Sequence, residues 1–404
     1  MIGFDEAAER LLALIAPVGT ETVPLEDADG RVLRAGVRAR RDQPPFATSM
    51  MDGYAIAEAP TPGRAMRVVG ESAAGARFVG RIEPGQAVRI FTGAPLPEGA
   101  TRVVLQEDVT RDAAMIRLGS RVEAAPYTRP KGEDFVAGTE VSAPRVLRPV
   151  DLALFAAMNA DRVTVSRRPD VAIIATGNEL VMPGADPGPD QIIASNALAI
   201  AAMARRVGAR ARILPIARDT EASLRAVFAL AEGADLIVTI GGASVGDHDL
   251  VAPVFDALGG RRVFDRVALR PGKPTSAGLL RGAVFLGLPG NPVSSIVCGH
   301  VFMLPALRAL AGLPAWPLPF LTVPLARDIG PNGPRLHLMR ARLEIVDGAP
   351  AIAPFVSQDS GLVSVLAAAD ALLRREPGAP AQAAGSMVHY LPLDARCIGG
   401  DWQA

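Results

Sequence analysis

The residues best suited to chemistry sit where short apolar runs end. Thr176-Gly177-Asn178-Glu179 follows the run Val171–Ala175, Arg218-Asp219 follows Ala211–Ile216, and Gly241 to Asp249 follows Asp235–Ile240. Pro289-Gly290-Asn291-Pro292 follows the most apolar run of all, Val284–Leu288. If these runs are strands of one open sheet, their carboxyl ends share a rim, which is where such sheets bind ligands. That rim collects Glu179, Asp219 and Asp249 with glycine turns, a set suited to Mg²⁺ on a phosphate, because Mg²⁺ takes a few carboxylates plus substrate oxygens. Gly242, Ser244 and Gly246 add backbone and hydroxyl donors. Asp219 serves equally well as a cap for a helix starting near Thr220, and Asp247-His248-Asp249 also reads as a solvated turn.

A turn with prolines on both sides of Gly290-Asn291 is stiffer than an ordinary connection requires. Pro292 suits the first helical position and Asn291 the cap, so an anion would meet free amides there, with Ser294 one turn on. The chain contains only two lysines, Lys131 and Lys273, both in Pro/Gly-rich turns. In so arginine-biased a sequence, Lys273 in Pro271-Gly272-Lys273-Pro274 points to a compact charge for phosphate. Chance accounts for Lys131 equally well.

These residues need rigid elements to hold them. From Pro169 strand-like and helix-like segments alternate, with helices expected over Ala197–Val207, Glu221–Ala231 and Leu250–Leu258 and a strand over Ala277–Leu280. That alternation predicts a doubly wound α/β domain over 169–312. The proline-rich stretch 311–319 cannot hold a helix and marks a boundary. Short strand-like runs between turns predict an inserted β-rich domain over 46–141 and a small C-terminal β module over 320–404. Residues 1–45 and 142–168 read as a helical linking region, with a helix over Phe4–Ile15 and another capped by Asp151. Two loops of the inserted module stand out, Ser49-Met50-Met51-Asp52-Gly53-Tyr54 and Phe91-Thr92-Gly93-Ala94-Pro95, where apolar neighbours frame polar groups.

Composition excludes several classes. Lys plus Arg and Asp plus Glu balance at 42 each, so no overall field favours nucleic acid or anionic membrane. Two cysteines and four histidines, in no ligand spacing, argue against a disulfide framework or a zinc site. An acidic start, and an apolar helix interrupted by His300 and Pro305, predict no signal peptide and no membrane span. The expectation is a soluble protein of a reducing compartment, the cytoplasm. Gly241–Gly246 is not the dinucleotide fingerprint, which disfavours a nucleotide-dependent oxidoreductase.

Taken together and in order, the segments resemble the molybdopterin molybdenumtransferase family (MoeA and the gephyrin E domain). The matching residues are Ser49-x-Met51-Asp52-Gly53-Tyr54-Ala55, Thr92-Gly93-Ala94-Pro95, Gly132-Glu133-Asp134 and Thr176-Gly177-x-Glu179-Leu180. Gly242-x-Ser244-Val245-Gly246, Pro271-Gly272-Lys273-Pro274 and Gly287–Ser294 continue the series. The resemblance implies insertion of molybdate into adenylylated molybdopterin with Mg²⁺, releasing AMP and molybdenum cofactor. It also implies a homodimer whose cleft draws Asp52, Thr92 and Asp134 from one subunit. Glu179, Asp219, Asp249, Lys273 and Ser360 would come from the other, whose C-terminal part would be a β-barrel. Contacts with molybdopterin adenylyltransferase and apo-molybdoenzymes belong to the same expectation.

Ala47, Met50 and Asn178 depart from the family pattern. So do Arg266 and Arg270, which stand where lysines are common, beside the substrate, and bind oxyanions bidentately. Two other functions fit parts of the sequence: a molybdopterin-binding scaffold without turnover, and a molybdopterin adenylyltransferase. The first lacks an added recruiting domain, and the second would not need the β modules.

Overall fold

The protein is described from a computed structural model that covers residues 1–242 and 250–393. At its centre is a six-stranded mixed sheet. Its spatial order is Arg210–Ile213, Asp170–Ala175, Leu236–Ile240, Ala283–Leu288, Ser276–Leu280 and Arg261–Phe264. The first four are parallel and the last two antiparallel. Val, Ile and Leu fill the central strands because both faces are covered, as a parallel sheet requires. Helix Asn196–Arg206 and the long helix from Pro292 to Leu310 pack on one face, together with Phe4–Leu12. Glu221–Leu230 and Val251–Ala257 cover the other. The doubly wound α/β domain read from the sequence is therefore present.

Pro305 does not interrupt the long helix. Residues Gly299–Met303 form a π turn between two α segments, Pro292–Cys298 and Leu304–Leu310. The wider turn shifts the hydrogen-bond ladder just where proline lacks an amide, so the helix continues. At 19 residues it is long and apolar enough to cross a bilayer, contrary to the expectation from sequence. In this fold 83% of its apolar window is buried, with Phe302 against Phe4 at 5.6 Å between ring centroids. Its apolarity is that of a core helix.

Among the described residues, three other sheets have four or more strands. The linking region read as helical also carries a four-stranded antiparallel sheet, with Thr20–Pro24, Arg162–Ser166, Val32–Leu33 and Arg145–Val146 in spatial order. Its helix, Pro149–Ala157, begins one turn earlier than expected, and Arg148 rather than Asp151 is the cap residue. Asp151, three places on, accepts from the Arg148 amide at 2.9 Å and pairs with Arg145 at 2.8 Å. The inserted module is a six-stranded sheet built from Gly53–Ile56, Ala65–Ser72, Gln86–Ile90, Arg102–Leu105, Val109–Asp112 and Met115–Leu118.

The C-terminal sheet comprises Leu321–Pro324, Leu336–Val346, Ala349–Pro354, Ala371–Arg375 and Met387–Pro392. Leu269–Arg270, from the α/β segment, joins its edge parallel to Leu336–Val346. That shared strand ties the last module to the turn that carries Lys273.

Candidate active site

The four parallel strands end on one rim, and a cavity of about 790 Å³ opens there. Thr176, Gly177, Glu179, Asp219, Gly241, Gly242, Lys273 and the Pro289–Pro292 turn all line it. Carboxylates and cations line the same cavity: Glu179 and Asp219 come from the first two loops, Arg266 and Lys273 from the loop before Ser276–Leu280. Opposite charges in one cavity suit a ligand that carries phosphates and a bound cation together. A second, apolar part of the wall comes from Leu180, Ile192 and Ile193 on a two-stranded ribbon, with Ile192 57% exposed.

The carboxylates are held by their own loops. Gly177 has φ +148°, and a Cβ there would lie 2.4 Å from the Glu179 carboxylate, so only glycine lets that side chain fold back over the turn. Arg218 Nη1 donates to the carbonyls of Gly177, Asn178 and Leu180 at 3.2, 3.0 and 2.9 Å, which locks the turn from beneath. Asn178 and Asp219 bond reciprocally: the Asn178 amide donates to Asp219 Oδ2, and the Asp219 amide to Asn178 Oδ1, both at 3.1 Å. The cap of the following helix is Thr220, whose hydroxyl accepts from the Ser223 amide. Asp219 is thus a cleft residue positioned by Asn178, and the departure at 178 supplies a clamp.

Lys273 is seated on the core. Gly272, at φ +123°, lies over Cys298, and a Cβ there would meet the sulfur at 2.4 Å. Thr275 Oγ1 donates to the Gly272 carbonyl at 2.7 Å and lies 3.2 Å from Cys298 Sγ. Burial pushes the Cys298 thiol up to about 12, so it serves as a packed neutral group rather than a nucleophile. The Pro289–Asn291 turn is pinned by Asn196, whose Nδ2 donates to the Gly290 carbonyl at 2.7 Å.

Asn291 occupies the cap position without making a side-chain cap. Its Nδ2 reaches Ser360 Oγ at 3.2 Å instead, and Val293 N donates to the Ser360 carbonyl. A loop of the C-terminal module is thereby stitched to the cleft, which places Ser360 beside Asn291. Ser294 is buried within the first helical turn rather than facing the cavity.

Other expected site residues lie elsewhere. Arg270 does not line this cavity: pairing with His337 carries it to a second cavity of about 460 Å³ at the C-terminal module, beside His337, Asp359 and Arg375. Strand alternation is the cause, since buried Leu269 takes the inward face and leaves Arg270 outward. Asp52, Thr92 and Asp134 sit on the inserted module and do not line the cleft of their own chain. Asp52 and Thr92 are joined, because both the Thr92 amide and its hydroxyl donate to Asp52 Oδ1 at 2.8 Å. The amide bond, then the hydroxyl, hold the Asp52 carboxyl below its usual range.

Ser49 is buried, and its hydroxyl donates to the Met51 carbonyl, which makes it a brace for the Asp52 loop rather than a ligand contact. Asp249, Ser244 and Gly246 lie outside the described residues. Asn178, Asn196, Arg218, Thr275 and Cys298 were not assigned roles from sequence. Their signal is proximity to the turns, but the partners lie up to 94 positions away.

This arrangement has counterparts. Three family profiles match in order: the MoeA N-terminal region (domain I and II) over residues 2–159, a probable molybdopterin binding domain over 172–309, and the MoeA C-terminal region (domain IV) over 322–393. A molybdopterin molybdenumtransferase from a Nostoc species is 35% identical, over 81% of this chain and 78% of its own. The chain belongs to the molybdopterin molybdenumtransferase family. A Mycobacterium tuberculosis member, molybdopterin molybdenumtransferase 2, is 38% identical over 72% of this chain and 76% of its own. The family fold extends through all modules. A molybdopterin biosynthesis MoeA protein from Pyrococcus horikosii superposes with a TM-score of 0.81 at 28% identity, over 98% of this chain and 99% of that one.

Proposed function

We propose that this chain is a molybdenum insertase of molybdenum cofactor biosynthesis, a transferase that takes adenylylated molybdopterin and molybdate and yields molybdenum cofactor and AMP. The observation that carries the reading is the single cavity at the ends of the parallel strands that Glu179, Asp219, Lys273 and Arg266 all line. A phosphoanhydride needs its negative charge neutralised as its P–O bond breaks, and Lys273 with the Gly290 turn supplies fixed positive groups for that. Positioning matters more than a protein nucleophile here. Family membership supports the same reading.

Mg²⁺ fits the residues present. Glu179 and Asp219 offer hard oxygen donors on one wall, and Asp249 is the third candidate from the sequence. Among the described residues no cluster of three potential ligands forms, so phosphate oxygens and water would complete the shell. When bound, the cation would offset phosphate charge; Glu179 and Asp219 would hold it, and Lys273 would orient the anhydride. Asp52, Thr92 and Asp134 belong to the same reaction in this reading, and a second copy of the chain supplies them. The homodimer, the cytoplasmic location, and hand-over from molybdopterin adenylyltransferase to apo-molybdoenzymes follow from that reading.

The test is AMP release from adenylylated molybdopterin with Mg²⁺, with and without molybdate. Molybdate-dependent release is expected. Binding without release would overturn turnover in favour of a scaffold, and consumption of ATP to adenylylate molybdopterin would overturn the assigned step.

A further inference from the structure

We propose that Arg89 is a positioning residue that fixes the Asp52 carboxylate in one place. Its guanidinium carbon lies over two aromatic rings, 5.1 Å from the Tyr54 centroid and 4.9 Å from that of Phe91. Contact with both rings holds the guanidinium while its N–H groups make directed bonds, a combination a lysine could not reproduce. Nη1 donates to the Gly53 carbonyl at 3.2 Å and Nη2 to Gln106 Oε1 at 2.6 Å.

These contacts surround Asp52. Gly53 follows it in sequence, and Gln106 N donates to the Asp52 carbonyl at 3.2 Å. Phe91 precedes Thr92, whose amide and hydroxyl both bind Asp52 Oδ1. One guanidinium therefore ties the loop bearing Asp52, the loop bearing Thr92 and the strand end at Gln106. Exposed loops seldom stay rigid by themselves, so this cross-link is what allows a half-open carboxylate to hold a single geometry.

The charge of Arg89 acts in the same direction as the Thr92 bonds and helps keep Asp52 ionised. Glu107 joins the network through Gln106 Nε2, at 3.2 Å. Neither the expected site residues nor the family pattern singled out Arg89. Its importance for turnover rests on the insertase reading; its hold on Asp52 does not.

Hydrogen exchange of the 88–96 peptide in the full-length protein tests that hold directly. Arg89→Ala is expected to speed exchange at Thr92 by at least about tenfold, as an opened loop would. Arg89→Lys should recover the charge but only part of the protection, and Phe91→Leu should loosen the loop with the charge intact. In the AMP-release assay, Arg89→Ala should lower kcat by about tenfold with little change in KM. The acid limb of its pH profile should move to higher pH, because Asp52 then takes up a proton more readily. Unchanged exchange at Thr92 in Arg89→Ala would overturn the proposal. Faster exchange with unchanged turnover would uphold the hold on Asp52 and overturn the importance of Arg89 for turnover.

Discussion

Two regions of this molecule hold carboxylates for use, and they do so in different ways. At the α/β rim, Glu179 and Asp219 stand on loops anchored to strands that are buried on both faces, and Asn178 and Arg218 fasten them within a few residues of the sheet. On the inserted module, Asp52 stands on an exposed loop and depends on Thr92 and the stacked Arg89. The first site borrows its rigidity from a core and forms a cavity within one chain. The second builds its rigidity from side chains and stands apart from that cavity. A doubly wound sheet provides a rim of aligned loop ends, whereas a small β module must cross-link its loops one by one.

The largest effect that would sharpen this contrast concerns ligand binding. Lys273→Ala should weaken binding of AMP, the adenylyl part of the substrate, by about 100-fold, because a phosphate in the cleft loses its charged partner. Asp52→Asn should change it by less than about twofold while still abolishing most turnover. Isothermal titration on the two variants decides the matter, and equal losses in both would erase the distinction between the sites.

Next in size is the seat of Lys273. Gly272→Ala must force a side chain into a left-handed position against the Cys298 sulfur, at a cost of about 2–3 kcal/mol. Cys298→Ala in the same chain should return part of that loss. Urea midpoints of the single and double variants measure the coupling, and simple additivity would show that the turn does not rest on Cys298.

Acid should also divide the molecule. Burial lowers His300, in the long helix, to about 4, and lowers His337, in the C-terminal sheet, to about 4, the latter also repelled by Arg270 and Arg340. A histidine held neutral in the fold takes up a proton more readily when unfolded. Its stabilising share is therefore complete above about pH 6.5 and is lost as pH falls from there toward 4. The shift corresponds to roughly 3 kcal/mol per histidine. His337→Gln should flatten the fall in stability between pH 6.5 and 4, read from denaturation midpoints, and an equally steep curve would contradict it.

The smallest effect belongs to Lys131. Its ammonium pairs with Asp42 at 3.0 Å on an exposed surface, so Lys131→Ala should cost less than about 1 kcal/mol and leave ligand binding intact. A large loss of binding would mean that the second lysine also serves the substrate.

Much of the α/β architecture was legible because period and burial agree there: Asp170–Ala175, Leu236–Ile240 and Ala283–Leu288 each stand within a residue of the apolar runs that announce them. The cleft residues Glu179, Asp219, Gly242 and Gly290 were legible as residues following strands, and Lys273 as one of only two lysines, set in a Pro/Gly turn. Other residues were misread because the surrounding fold set their roles. Asn291 suits a cap but bonds Ser360, Arg270 suits the phosphate loop but follows the pairing of its strand, and Pro305 suits a break but meets a π turn.

Local physics in the sequence determined which segments become strands and helices, where turns demand glycine, and which residue types gather at strand ends. Tertiary structure alone decided that Asn178 clamps Asp219, that Cys298 supports the Lys273 turn, and that Arg89 binds three loops around Asp52. Those contacts join positions between 17 and 41 residues apart, as with Arg89 to Gln106 and Asn178 to Asp219. No local pattern encodes such pairs, because their distances are fixed only once the layers pack.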